Sequence, residues 1–151
     1  MTACSYIRRR RKITSRRRLK KRCGGESLSY ADTLNNLAIV YNQTNRQTEA
    51  LRLHRKVLEI REAKLGREHA DFLHSLYHIG NTYELLGEYD KAIDYHAMAL
   101  RNNTFSTLEL ADVHGALARA YEAKGNYKKA IYYYEICLDL IEKARGCDTF
   151  Y

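Results

Sequence analysis

The sequence predicts an all-α fold, a solenoid of three helical hairpins behind a basic N-terminal extension, and three observations carry that prediction. The stretch YELLGEYDKAI at 83–93 returns as YEAKGNYKKAI at 121–131 with seven of eleven letters unchanged, and a weaker copy in register, YNQTNRQTEAL, stands at 41–51. In each copy a tyrosine precedes an alanine by nine residues (Tyr41 and Ala50, Tyr83 and Ala92, Tyr121 and Ala130), so the tyrosines lie 42 and 38 apart. That spacing suits two helices and two turns per unit, and a phrase that recurs marks a stacked structural unit rather than a catalytic motif. The chain also lacks proline and strand-type alternation, so only glycines and asparagines interrupt the helical pattern.

The elements follow in order. Residues 1–28 form the extension, 29–145 the array, in units of about 29–65, 68–104 and 106–145, and 146–151 a C-terminal tail. The first helix of unit one carries Leu34, Leu37, Ala38 and Tyr41 at i, i+3, i+4 and i+7, a single apolar stripe. Unit two repeats it as Leu76, Ile79, Gly80 and Tyr83, and unit three as His114, Leu117, Ala118 and Tyr121. The small residue in each stripe lets a second helix approach closely. His114, set among apolar neighbours, is expected to be a half-buried, hydrogen-bonded packing residue.

Four residues past each tyrosine stands Asn45, Gly87 or Gly125, types that tolerate the left-handed backbone of a helix end. The second helices then bring Ala50, Leu51, Leu53, Val57 and Leu58; Ala92, Ile93, Met98, Ala99 and Leu100; Ala130, Ile131, Tyr134, Cys137, Leu138 and Ile141. Ala50, Ala92 and Ala130 are expected at the closest approach of paired helices, where a bulkier side chain costs about 1–3 kcal/mol. Ser106 with Glu109 spells a capping box before the last unit.

Composition bounds the function. The formal charge of +8 is concentrated at the start: residues 1–22 hold eleven Lys or Arg and no acid, leaving 15 basic against all 18 acidic residues, a net −3, for the rest. The run RRRRKITSRRRLKKR at 8–22 reads as an unstructured solvated arm, a nuclear-import signal, a nucleic-acid arm or an Arg-rich transit peptide. Four cysteines without a CxxC pair suit reduced thiols inside a cell, hence a cytoplasmic protein or, through 8–22, a nuclear one. No segment has the length and apolarity of a membrane span.

The stripe with a small residue three before a tyrosine and an alanine nine after it resembles the tetratricopeptide repeat (TPR). Residues 31–71, ADTLNNLAIVYNQTNRQTEALRLHRKVLEIREAKLGREHAD, resemble the long repeat of kinesin light chains, and the resemblance covers about 29–145. Where that pattern has His-Pro-Asp the chain has His69, Ala70 and Asp71, so a longer continuous helix is expected across the junction.

The resemblance implies a scaffold or adaptor without catalysis, whose first helices line a concave, peptide-binding groove. By helical phase the side chains off the packed stripe are Asp32, Asn35, Asn36, Ile39 and Asn42; His74, Tyr77, His78, Asn81 and Glu84; and Asp112, Gly115, Arg119 and Glu122. Asparagine offers donor and acceptor together to a peptide backbone, which puts Asn35, Asn36 and Asn81 first for ligand contact. The acids Asp32, Glu84, Asp112 and Glu122 against Arg119 suit a neutral to basic ligand, or the chain's own basic arm. Kinesin light chains are associated with acidic tryptophan-containing peptides, which require the opposite charge.

Three further readings compete. His74 and His78 share a helix face and are able to chelate a metal only with further ligands, His69 and His114 being the nearest, so no metal is expected. Tyr132, Tyr133 and Tyr134 point about 100° apart on a helix and form no single stacking platform; Tyr134 is expected in the core. No phosphate loop, dinucleotide fingerprint or nucleophile elbow is present, so neither enzyme nor cofactor is expected, unless the repeats are appended to a larger enzyme. The last hairpin has no polar capping helix after it, which implies marginal stability, self-association through that end, or a fragment of a longer chain.

Overall fold

The computed structural model describes residues 25–102 and 104–146, and alternation of small and large apolar residues at helical spacing gives six helices among these described residues. They are α1 (Leu28–Gln43), α2 (Gln47–Leu65), α3 (Ala70–Leu85), α4 (Tyr89–Ala99), α5 (Thr107–Ala123) and α6 (Tyr127–Ala144). No strand occurs among the described residues. The basic run at 8–22, Cys4, Cys23, Cys147 and the tail 147–151 lie outside the described residues.

Each hairpin closes as its turn residue dictates. Asn45, Gly87 and Gly125 sit at φ 59°, 77° and 77°, the left-handed region where a β-carbon is costly for most residues. The helices of a hairpin, α1 with α2, α3 with α4 and α5 with α6, then pack antiparallel, and α2 meets α3 as α4 meets α5. Ala50, Ala92 and Ala130 are buried, as the pattern requires. The capping box forms as read: Ser106 Oγ accepts from the Glu109 amide at 3.4 Å, and the Ser106 amide donates to Glu109 Oε2 at 2.7 Å. Ser27 caps α1 in a similar way, accepting from the Tyr30 amide at 3.1 Å.

The continuous helix expected across 66–71 is absent. Gly66 ends α2 at φ 87°, and the His69 side chain caps α3 by accepting from the Asp71 amide at 3.1 Å. An imidazole acceptor and a glycine end do here what a proline does elsewhere.

The largest apolar cluster belongs to the middle hairpin, which has a neighbour on each side. Phe72, Leu73 and Leu76 of α3 join Ala99, Phe105 and Val113, with Leu58 and Leu110 packed against them from the flanking hairpins. Tyr133, not Tyr134, is the packing residue of the tyrosine run. Its ring lies flat on Tyr121 at 5.5 Å, whereas Tyr134 is 36% exposed and donates its hydroxyl to Glu122 at 2.9 Å. Tyr134 occupies the register of His54 and His96, both fully buried; no helix among the described residues follows α6 to cover it.

Candidate functional site

The first helices α1, α3 and α5 are tied side by side by Asn42, His74, Glu84 and Arg119, which helical phase places on one face, together with Thr82 and Glu109, which it does not. Asn42 Nδ2 of α1 donates to Thr82 Oγ1 of α3 at 2.9 Å. His74 Nε2 of α3 lies 2.9 Å from Glu109 Oε1 of α5, and Arg119 Nε of α5 lies 3.0 Å from Glu84 Oε1 of α3. A fourth tie comes from α2: Arg61, nearly buried, donates to Asp32 Oδ1 at 2.8 Å, to Ser75 Oγ at 2.9 Å and to the Asp71 carbonyl at 3.0 Å. These bonds join α1, α2 and α3 through one guanidinium. The outcome is a continuous wall made of three helices.

Much of the expected groove is therefore occupied by bracing. Asp32, Asn42, His74, Glu84 and Arg119 are used as above, and Glu122 accepts from Tyr134. Tyr77 leans on the His78 ring at 5.7 Å and on the His96 ring at 5.5 Å. Asn36 and Asp112 remain exposed and carry no partner among the described residues.

Two residues assigned off the stripe lie inside. Asn35 is 9% exposed between buried Ala31 and Ala38, and Gly115 is buried between Ala111 and Ala118. Small residues at both ends of the row bring the second helix close enough to cover the position between them. A β-carbon at Gly115 would stand 3.6 Å from Cys137 Sγ on α6. The Oδ1 atoms of Asn35, Asn42 and Asn81 are shielded and accept no hydrogen bond.

The sequence reading missed Arg61 and the two fully buried histidines, His54 and His96. The signal was there for the histidines, which recur at the 42-residue period four residues past Ala50 and Ala92. His54 stacks on His78 with ring centroids 5.5 Å apart and planes within 4°. Burial pushes His54 down to about 3, and burial followed by the nearby His74 pushes His78 down to about 4. Both rings are thus neutral near pH 7. At Glu84, burial acts to raise the carboxyl, but the nearby His96 ring, 3.9 Å away, and the Arg119 bond outweigh it and hold the group below its ordinary value. His114 is half-buried as expected, stacked on Tyr133 at 5.9 Å, but its Nδ1 has no hydrogen-bond partner.

His74 and His78 do not converge on a common point with further ligands. No group of three His, Cys, Asp or Glu among the described residues is placed to hold a metal ion. No described helix is long and apolar enough to cross a membrane.

Stacked antiparallel hairpins whose first helices form one wall define a helical-repeat solenoid, a class of protein-interaction scaffold. The chain belongs to the tetratricopeptide repeat family: models described as tetratricopeptide repeat match residues 12–63, 29–104 and 113–148. No curated protein matches its sequence. Among solved structures it is similar to BtubC (BKLC) from P. vanneervenii, with a TM-score of 0.73 and 22% identity over 80% of this chain and 50% of that one. It is similar also to a kinesin light chain from Podosopora anserina with nearly identical TPR-like repeats, at TM-score 0.69 and 24% identity over 79% of this chain and 58% of that one. The TPR domain of Arabidopsis FLU matches at TM-score 0.65 and 19% identity, over 75% of this chain and 95% of that domain. The chain spans a little over half the length of the first two or less.

Proposed function

We propose that this chain is a non-catalytic cytoplasmic adaptor that holds an extended peptide segment of a partner protein along the α1–α3–α5 wall, in the manner of kinesin light chains. The observation that supports it is the bracing itself: Asn42–Thr82, His74–Glu109 and Glu84–Arg119 fix three helices into one preorganised surface before any ligand arrives. Charge favours a neutral to basic segment. Asp32 and Glu84 are neutralised by Arg61 and Arg119, whereas Asp112 and Glu122 on α5 face no cation among the described residues, so a ligand lysine or arginine belongs at the third hairpin.

Fluorescence anisotropy with labelled peptides of neutral, basic and acidic composition tests this. Basic peptides are expected to bind best, and Asp112→Lys to weaken them about tenfold while leaving neutral peptides nearly unchanged. Tighter binding of acidic peptides, or indifference to both Asp112→Lys and Asn36→Ala, would sink the reading.

A further inference from the structure

Among the described residues, the outer faces of α1 and α6 are the two halves of a junction that the chain forms twice within itself. At the first internal junction α3 covers α2. Ile79 and Thr82 of α3 are fully buried there, Leu51 and Leu58 of α2 pack against Ile79 and Tyr83, and Arg55 donates to the Tyr83 hydroxyl at 2.6 Å. The second junction, α4 under α5, repeats the apolar part of the arrangement in register, with Leu117 and Ala120 in the places of Ile79 and Thr82 and both buried, and Ala97 in the place of Arg55.

One unit outward from each junction the side chains are more exposed and stay apolar or, with Val40 in the place of Thr82, become so. On α1 the positions of Ile79 and Thr82 are Leu37 and Val40, which are 42% and 50% exposed. On α6 the positions of Leu51 and Leu58 are Ile131 and Leu138, which are 58% and 60% exposed. Apolar side chains are thus displayed on both end faces at the spacing that the chain's own seams bury. Exposed contiguous apolar surface of this kind marks an interaction site.

The polar positions of the outer faces differ from those of the first internal seam. The register of Arg55 falls on Glu135 in α6, which is exposed and has no partner among the described residues. The register of Tyr83 falls on Tyr41, whose ring carries the Arg46 guanidinium 4.3 Å from its centroid, a guanidinium that also binds Glu49 Oε1 at 3.0 Å. The internal seam joins a cation to a tyrosine hydroxyl. The outer seam would join a carboxylate to a tyrosine hydroxyl and the arginine above it.

We propose that the α6 face of one copy receives the α1 face of a second copy, continuing the hairpin stack head to tail across the two molecules. The α6 face and the α1 face are different surfaces, so the contact is heterologous and each added copy presents a fresh α6 face for the next. This contact depends on hairpin stacking alone and not on peptide binding along the α1–α3–α5 wall.

Sedimentation velocity of the full chain over a wide concentration range tests it, with the mean mass expected to rise past that of a dimer. Leu37→Asp and Leu138→Asp both alter exposed side chains; each variant alone is expected to be monomeric with unchanged helical circular dichroism. Mixed in equal amounts they are expected to form a heterodimer and nothing larger, since each retains one sound face. Glu135→Arg is expected to weaken association of the otherwise native chain about tenfold. A native chain that stays monomeric throughout overturns the proposal. It is overturned equally by a Leu37→Asp variant that still dimerises, which would mean α6 pairs with α6, and by a mixture of the two variants that remains monomeric.

Discussion

Two mid-helix glycines, Gly80 on α3 and Gly115 on α5, differ by what waits for a methyl group. At Gly80 a β-carbon would stand 2.5 Å from His96 Cε1, inside a packed seam; at Gly115 its nearest neighbours are Cys137 Sγ at 3.6 Å and an Arg119 guanidinium nitrogen at 4.0 Å, ordinary contacts. Alanine in a helix interior is worth about 1 kcal/mol over glycine when nothing obstructs it. Gly115→Ala is therefore expected to raise stability by up to about 1 kcal/mol, and Gly80→Ala to lower it by about 1–3 kcal/mol, both read from urea denaturation midpoints. Equal shifts of one sign would contradict the packing described. At this scale the sequence revealed the small residues beside each tyrosine and the alanines nine beyond. Asn35 was misjudged, because a four-position stripe underestimates how far a helix flanked by Ala31 and Ala38 is covered. Neighbours from another hairpin decide burial, and no local pattern contains them.

The seam between α2 and α3 joins apolar packing to the stacked imidazoles of His54 and His78, and this makes it sensitive to acid. Their ordinary value is 6.5, and in the fold they sit at about 3 and about 4, so between these limits the unfolded chain binds more protons than the folded one. Stability then increases with pH: it is complete above 6.5 and drains away as pH falls toward the folded values. The urea midpoint is expected to fall on going from about pH 7 to about pH 5, and less steeply in His54→Leu. A midpoint that is flat over that interval, or one equally steep in the variant, would remove the histidines from this role. Helix ends were largely legible, since Asn45, Gly87, Gly125 and the Ser106–Glu109 box all act locally. The 66–71 junction was not, because reading it as helix overlooked that Gly66 and His69 together supply a stop and a start. The tyrosine run was misjudged for another reason: Tyr134 lies where a following first helix would bury it, and none is present among the described residues.

For the molecule as a whole, repetition made the architecture legible and bracing made the wall only half so. Periodicity places Asp32, His74, Glu84 and Arg119 on one face, but it does not say that they hold one another. That depends on the lateral spacing of α1, α3 and α5, which follows from tertiary packing. One further consequence follows from how the helices pack, each against its immediate successor, with α3 also touching α5. Nearly every partner is met within a short stretch of chain, so little loop entropy is lost before a contact forms, and helical proteins wired this way reach their native state in microseconds to milliseconds. Stopped-flow refolding is expected to finish its main phase within about milliseconds; a main phase lasting seconds would mean that distant segments have to find each other first.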